Sequence, residues 1–519
     1  MMLDMLVIKG SYFPLIVVTV LYAKVGLLTT RFRKVLHQLL VLVPLLVALA
    51  QAPNPILRNL IALLPVILIA MDITLSMFSW REYRSRFSHG FALSMLETSR
   101  REVTGMLGIY RRYILTFVLT VAAIFTAVNT TPVLPGRVCY LPSVFLAIVL
   151  LVYTVQALLH QQRKNSISSP LQRIVSDLPF SNLNPFLQAH RDKSMIARVS
   201  RKIPEYDLSV KETGIDIYVV VIGESARPAN MSIYGYYRPT TLFAESEQDN
   251  MLLFTQAISG SPVTATAVPL ALTAATVKDM AVSHYSDNII NIANQGGFET
   301  YWYSAQGMYG DYSNAITGIA MNAHHQEWVK EGYDDALLPL LDNALQGPGK
   351  KLIVLHLYGS HPPANQRYPE SERYFHDNHP DDEYDNSIRF TDKLLGQIVG
   401  RLQGSRASLL YFSDHGLERG SGKNKGWQHG GVKPLREAFQ VPMFIWYSPL
   451  LRTGQEEKGI ITSVYSTVNN YALIAHWLGV AEGSETAKPV KELARENENS
   501  QVIDTTAQVY RWTDLEVSR

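Results

Sequence analysis

Five residues beyond position 215 of this 519-residue chain carry side chains suited to divalent-cation chemistry, and most stand just beyond a short apolar run. Glu224 follows IYVVVIG (217–223), His361 follows KLIVLHLYG (351–359), and Asp414 and His415 follow ASLLYFS (407–413). His429 lies a little further on, in WQHGG. Two carboxylates and three imidazoles are the oxygen and nitrogen donors that zinc takes. Taken singly, each has a plainer reading. Glu224 reads as a helix cap, Asp414-His415-Gly416 as a capped turn, His361 as a loop residue before Pro362-Pro363, and His429 as a structural or exposed imidazole. Their convergence on one edge of one expected sheet gives them weight, because open α/β sheets bind ligands at the carboxyl ends of their strands.

A nucleophile is also at hand. The stretch SGSPVTATAVPLALTA (259–274) leads into a helical pattern. A threonine at a helix start has its hydroxyl beside unpaired backbone N–H groups, a ready site for a phosphoryl oxygen. Its hydroxyl is a weak nucleophile, and coordination to a divalent metal is one way to activate it. Thr264 is the candidate, with an ordinary N-cap as its plain alternative and Thr266 and Ser261 as competitors.

The elements that must position these groups are of two kinds. From 215 to 519, apolar runs at 217–223, 299–304, 351–359, 407–413 and 442–448 lack alternation, as strands buried on both faces do. Helical patterns lie between them at 286–297, 334–345 and 383–402. This predicts a soluble α/β domain with a mainly parallel sheet sandwiched by helices. The polar residues past about 480 are expected to be peripheral.

From 1 to 160, by contrast, five apolar runs (11–28, 35–52, 56–78, 113–132 and 141–160) approach the roughly 20 residues a bilayer-spanning helix needs. An α-helical five-span membrane domain is expected, with Asp72 facing the bundle rather than lipid. Residues 88–108 read as an amphipathic surface segment, and 161–214 as a connector. No small-residue cleavage site follows the first run. Arg31, Arg33 and Lys34 after the first run, and Arg81, Arg84, Arg86, Arg100, Arg101, Arg111 and Arg112 after the third, place those loops on one side. By the positive-inside rule that side is cytoplasmic, and with five spans the C-terminal domain would share it. A formal charge of +2, from 47 basic and 45 acidic residues, gives no basic excess for nucleic acid. The single cysteine, Cys139, excludes an intramolecular disulfide.

Four blocks in order, GESARPANMSIYGYYRPTT (223–241), LHLYGSHPPANQRYP (355–369), YDNSIRFTD (384–392) and YFSDHGLE (411–418), resemble the bacterial phosphoethanolamine transferases of the alkaline phosphatase and sulfatase superfamily. The five apolar runs ahead of a soluble domain fit the same family. The resemblance implies that Glu224, Asp414 and His415 bind zinc and that Thr264 is both a metal-bound oxygen and the nucleophile. It implies that His361 and His429 contact the phosphoryl group, or hold a second zinc beside the one expected. It further implies phosphatidylethanolamine as donor, an envelope glycolipid or glycan (lipopolysaccharide or periplasmic glucan) as acceptor, and a bacterial inner-membrane protein with its catalytic domain in the periplasm. That placement opposes the loop-charge count and is adopted. Two features depart from the lipid A-modifying members: no disulfides can form, and Ala305-Gln306-Gly307 stands where those members carry a lysine-bearing, cysteine-flanked segment. A sulfatase is disfavoured, since no Cys-x-Pro-Ser-Arg type motif is present. A phosphodiesterase of the same superfamily and a non-catalytic membrane scaffold are the remaining alternatives.

Overall fold

The computed structural model describes residues 11–83, 86–88, 91–92, 95–96, 107–164, 170–190, 203–306, 315–329, 331–419, 427–430, 434–451, 457–495 and 500–517. The chain divides into two compact units, Met1–Ala92 with Met106–Ala189, and Leu93–Gly105 with His190–Arg519.

The first unit is built from apolar helices: α1 (Phe13–Thr29), α2 (Phe32–Ala50), α3 (Pro55–Tyr83), α4 (Leu107–Thr130) and α5 (Leu141–Lys164). Four stretches, Phe32–Ala50, Pro55–Tyr83, Tyr110–Thr130 and Gly136–Leu159, are long and apolar enough to cross a bilayer. At 17 residues α1 is shorter, rising roughly 25 Å against a hydrocarbon core of about 30 Å. Leu60, Leu64, Leu119 and Leu151 are each at least 60% exposed. Such faces are stable against lipid rather than water, so this is a membrane protein. Asp72 is buried on α3, and its Oδ1 accepts from the backbone N–H of Asn182 at 2.7 Å. Asn182 Nδ2 in turn donates to the Asp72 carbonyl (3.0 Å) and to Ser76 Oγ (2.8 Å). The intramembrane charge thus pins the segment after α5 to the bundle. Most of the expected surface segment at 88–108 lies outside the described residues.

The second unit is organised by an eight-stranded sheet. Its strands are β1 (Ile217–Gly223), β2 (Met251–Phe254), β3 (Glu299–Ser304), β4 (His325–Trp328), β5 (Lys351–His356), β6 (Ala407–Ser413), β7 (Met443–Tyr447) and β8 (Gly459–Ile461). They lie in the order β8-β2-β7-β6-β1-β5-β3-β4, and β7 runs antiparallel to both its neighbours while the other pairs are parallel. Helices α6 (Thr264–Leu272), α7 (Ile289–Gln295), α8 (Leu338–Gln346), α9 (Asp382–Leu402) and α10 (Asn470–Trp477) cover the two faces. Alternate residues of β1 feed two separate cores. Tyr218, Val220 and Ile222 pack with Val268, Ile289 and Trp477, whereas Ile217, Val219 and Val221 pack with Leu341, Leu394 and Ile398. Each such side chain, removed from water, contributes roughly 1.5–3 kcal/mol. That two-sided burial is why β1 and β6 read as unbroken apolar runs.

Three strands carried no usable signal. β2 and β8 have four and three residues, and β4 (HQEW) is a half-exposed edge strand. The run at 351–359 ends as a strand at His356, because the chain then turns through Gly359 at φ +52°. Residues past 480 are less peripheral than their polarity implied. Strands at Gln501–Ile503 and Val509–Arg511 pair, and buried Val502, Trp512 and Leu515 pack on Ile258, Ala438 and Phe439. A few well-spaced apolar residues in a charged background suffice to dock a hairpin.

One ion-pair network locks β1's exit loop to α9. Arg238 donates to Asp385 Oδ2 and Asp382 Oδ1, both at 2.6 Å, and lies over the Phe375 ring. Asn230 Nδ2 (2.8 Å) and the Tyr236 hydroxyl (2.9 Å) also donate to Asp385. Arg238→Met would leave the buried Asp382 and Asp385 without this counter-charge, and it is expected to cost about 3–5 kcal/mol. The check is a fall in the melting temperature of the detergent-solubilised chain.

Candidate active site

Register brings the acidic residues together. Gly223 on β1 is opposite Ser413 on β6, and the Asp414 N–H donates to the Gly223 carbonyl at 3.0 Å. Glu224 and Asp414 therefore emerge side by side from neighbouring parallel strands. β5 on the other side of β1 is followed by Leu357-Tyr358-Gly359, and the Ser360 N–H reaches the Glu224 carbonyl (2.9 Å). Next to it β3 ends at Ser304 and is followed by Ala305-Gln306. Four adjacent strands thus deliver the site at their carboxyl ends.

Side chains of Glu224, Asp414 and His415 are all buried, and one ligand atom from each lies within 4.8 Å of the others. The His415 Nδ1–H donates to the Gly416 carbonyl (2.8 Å), which turns Nε2 toward the carboxylates. Nε2 is 3.3 Å from Glu224 Oε1 and 3.5 Å from Asp414 Oδ2. Thr264, the first residue of α6, donates its hydroxyl to Glu224 Oε2 (2.9 Å) and sits 3.3 Å from His415 Nε2. Thr266 makes no such contact. Ser261 is buried with its hydroxyl unpaired, away from the triad's hydrogen bonds.

These residues fit zinc on their own geometry. Ligand atoms at zinc bond lengths stand about 3.3–3.6 Å apart in a tetrahedron, which the spacings about Nε2 match. Among the described residues, nothing donates a hydrogen bond to the buried Asp414 Oδ2, although its partner Oδ1 takes two, from Ser225 N–H (3.0 Å) and His415 N–H (2.7 Å). An unsatisfied carboxylate oxygen facing an imidazole nitrogen suits a cation that takes the place of the proton between them.

Electrostatics agree. Burial and then the neighbouring Glu224 charge push the Asp414 carboxyl up to about 8. Burial opposes charge on Glu224 too, but hydrogen bonding and charge from His415 outweigh it and hold that carboxyl well below the ordinary range. Burial would lower His415, yet Asp414 and Glu224 raise it to about 9. Two like charges confined together retain protons until a dication replaces them.

The other two imidazoles flank this cluster without joining it. The His429 ring stacks on His415 at 4.4 Å between centroids, and its Nδ1–H donates to the Pro262 carbonyl (3.1 Å). His361 lies 6.1 Å from the His429 ring and donates through Nδ1 to the Pro362 carbonyl (2.8 Å). Burial, with the charges of His415 and His361, lowers His429 to about 3, so it is neutral at physiological pH.

Three supports escaped the reading of the sequence. Gln306 Nε2 bridges Glu224 Oε2 (3.2 Å) and the Leu357 carbonyl (2.8 Å); its only signal was the unusual Ala305-Gln306-Gly307 segment. Ser225 adopts φ +55° and donates its hydroxyl to Glu224 Oε1 (2.6 Å). From the C-terminal hairpin, the Ile503 N–H reaches the Gly260 carbonyl (2.9 Å), bracing the loop that carries Thr264.

Because the triad must shed protons to accept a cation, zinc affinity is expected to rise with pH through the 6–9 window. Titration calorimetry in buffers of differing ionisation heat should show proton release, whereas pH-independent affinity would contradict the site. A second test uses backbone contact. A Cβ at Gly359 would fall 2.7 Å from the Glu224 carbonyl oxygen and 2.8 Å from its nitrogen. Gly359→Ala is therefore expected to displace Glu224 and weaken zinc binding about tenfold or more, read as metal content after dialysis.

The sequence matches the family described as Sulfatase over residues 216–483, and that described as Transferase YhbX N-terminal domain over residues 2–200. YhbX of Escherichia coli (strain K12) is 37% identical over 515 residues, 97% of this chain and 94% of YhbX. OpgE of the same strain, named a phosphoethanolamine transferase, is 31% identical over 324 residues, 60% of this chain and 59% of OpgE. Among solved structures, the integral membrane protein lipooligosaccharide phosphoethanolamine transferase A from Neisseria meningitidis matches with a TM-score of 0.64 at 20% identity, covering 91% of this chain and 95% of that one. The C-terminal periplasmic domain of EptC from Escherichia coli, solved as a complex with zinc, matches with a TM-score of 0.53 at 22% identity, covering 60% of this chain and 97% of that one. These two show a shared fold. Sheet, blocks and relatives agree that the chain belongs to the sulfatase family of the alkaline phosphatase superfamily, in its branch of bacterial phosphoethanolamine transferases.

Proposed function

We propose that this protein transfers phosphoethanolamine from phosphatidylethanolamine to an envelope glycolipid or glycan through a phospho-threonine at Thr264. One observation carries the reading: the Thr264 hydroxyl meets Glu224 Oε2 at 2.9 Å and His415 Nε2 at 3.3 Å, at the start of a helix. Among the described residues, no acceptor meets the backbone N–H groups of Thr264 or Ala265, so both are available to phosphoryl oxygens.

In the first displacement Thr264 Oγ1 forms a bond to phosphorus, the phosphorus–glycerol oxygen bond breaks, and diacylglycerol leaves with a proton. In the second, an acceptor hydroxyl or phosphate oxygen attacks, the bond to Thr264 breaks, and the threonine regains its proton. Zinc held by Glu224, Asp414, His415 and the Thr264 oxygen would supply Lewis acidity to that oxygen and to the phosphoryl group. His429, neutral and with Nδ1 committed to Pro262, has Nε2 left to accept a proton from the acceptor. His361 is the partner for the leaving oxygen. Ser225 and Gln306 keep Glu224 oriented. The apolar helices would hold this chemistry at an inner membrane, with the catalytic unit in the periplasm. The solved EptC domain, which shares the fold of that unit, is likewise the C-terminal periplasmic domain of its own protein.

Thr264→Ala is expected to keep its zinc yet lose about three orders of magnitude or more in transfer. Mass spectrometry of the purified chain incubated with phosphatidylethanolamine should show a phosphoethanolamine adduct on Thr264 that the variant lacks. Undiminished transfer by the variant would sink the proposal. Analysis of the products for modified acceptor against free phosphoethanolamine separates transfer from hydrolysis.

A further inference from the structure

Three residues beyond Glu224 stands a cation without a hydrogen-bonded counter-ion. Among the described residues no carboxylate, carbonyl or hydroxyl accepts a hydrogen bond from the guanidinium of Arg227, and its Nε is buried with no partner. In direct contact its charge is met by the Trp427 ring, whose centroid lies 4.3 Å from Cζ. Arg419 lies over the same ring at 3.7 Å, but Arg419 is paired with Asp381. Removing a guanidinium from water without an acceptor is costly, and stacking on an aromatic face returns only part of that cost.

Both partners of this stack are tethered to the candidate site. Arg227 follows Glu224 on a loop fixed by the Ala226 N–H to Ser413 Oγ (2.9 Å), so its Cα lies at most about 11 Å along the chain from that of Glu224. Trp427 opens the segment that carries His429 onto the His415 ring. Stacking fixes the plane of the guanidinium and so the direction of its donor fork, which suits bidentate recognition of an oxyanion.

We propose that Arg227, held against Trp427, forms a subsite for an anionic phosphate or carboxylate group carried by the acceptor. The inference rests on the transfer reading and sharpens its acceptor class. Once on Thr264, the donor's phosphodiester keeps one negative charge, which the Thr264 and Ala265 N–H groups and a cation held by Glu224, Asp414 and His415 would meet. What remains of the headgroup is an ammonium, which a guanidinium repels, and diacylglycerol is neutral. A second anion, for Arg227, then comes from the acceptor, at a position other than its attacking oxygen.

The test uses the zinc-loaded full chain in lipid nanodiscs with two probes, a glucan oligosaccharide bearing a single phosphate and the same oligosaccharide without it. Dissociation constants are measured for the parent protein, Arg227→Gln and Arg227→Lys. The phosphorylated glucan is expected to bind the parent about tenfold or more tightly than the plain one, to lose that advantage in Arg227→Gln, and to regain part of it in Arg227→Lys. Melting temperature and zinc content check that each variant is folded. Equal affinity for the two glucans in the parent, or equal weakening of both in Arg227→Gln, overturns the proposal. So does a loss of phospho-Thr264 formation in Arg227→Gln as large as its loss of transfer, which would assign the guanidinium to the donor. If no phospho-threonine forms even in the parent while the Arg227-dependent preference persists, the transfer reading fails and the anion subsite stands.

Discussion

A buried like-charge contact governs the design of the catalytic unit. Two carboxylates, Glu224 and Asp414, leave the ends of adjacent parallel strands whose register sets Gly223 opposite Ser413. In a fully buried setting they repel, and one imidazole of His415 offsets only part of that charge. A dication would resolve the conflict by taking Asp414 Oδ2, the oxygen that no hydrogen bond reaches among the described residues. The site is therefore prepared by strain in the electrostatic sense, and the surrounding backbone must be rigid enough to keep the two carboxylates from parting.

Rigidity comes from two directions. Beneath the site, β1, β5 and β6 are buried on both faces and cannot shift without opening one of two cores. Around it, hydrogen bonds from Ser225, Gln306 and the Ser360 backbone fix Glu224, while the Arg238–Asp382–Asp385 network clamps the exit loop of β1 onto α9. The blocks that resemble a family thus divide by role. Glu224, Asp414 and His415 present ligand atoms, whereas most of YDNSIRFTD and the later part of the first block serve as the frame. Asp392, for example, accepts the N–H groups of Phe243 and Ala244 at 2.8 and 3.0 Å, far in kind from any chemistry.

Thr264 stands on a different element from Glu224, Asp414 and His415. Thr264 rides on α6, whose entry loop is braced by the Pro262 carbonyl against His429 and by Gly260 against Ile503. The C-terminal hairpin and the His429 segment therefore converge on the same turn. Small movements there would alter the approach of Thr264 to Glu224 without disturbing the triad, so Thr264 and the triad are held by separate supports.

Strand-ending acidic and imidazole residues, five apolar runs and a threonine at a helix start were legible in the sequence, because each depends on local periodicity or on the residue beside it. Burial on both faces writes itself as an unbroken apolar run, and so β1, β3 and β6 fall where the sequence puts them. Short or edge strands such as β4 left no such trace, nor did the docking of the tail, since a few apolar residues decide it. Sequence could not choose between Thr264 and Thr266, place His429 beside His415 rather than among the ligands, or reveal that Gln306 holds Glu224 and that Arg227 stacks on Trp427 with its Nε unpaired. Those facts join residues far apart in the chain, such as Thr264 with Glu224 and Arg227 with Trp427. Only the lateral order of the strands, a product of packing across the whole sheet, determines which of their ends become neighbours.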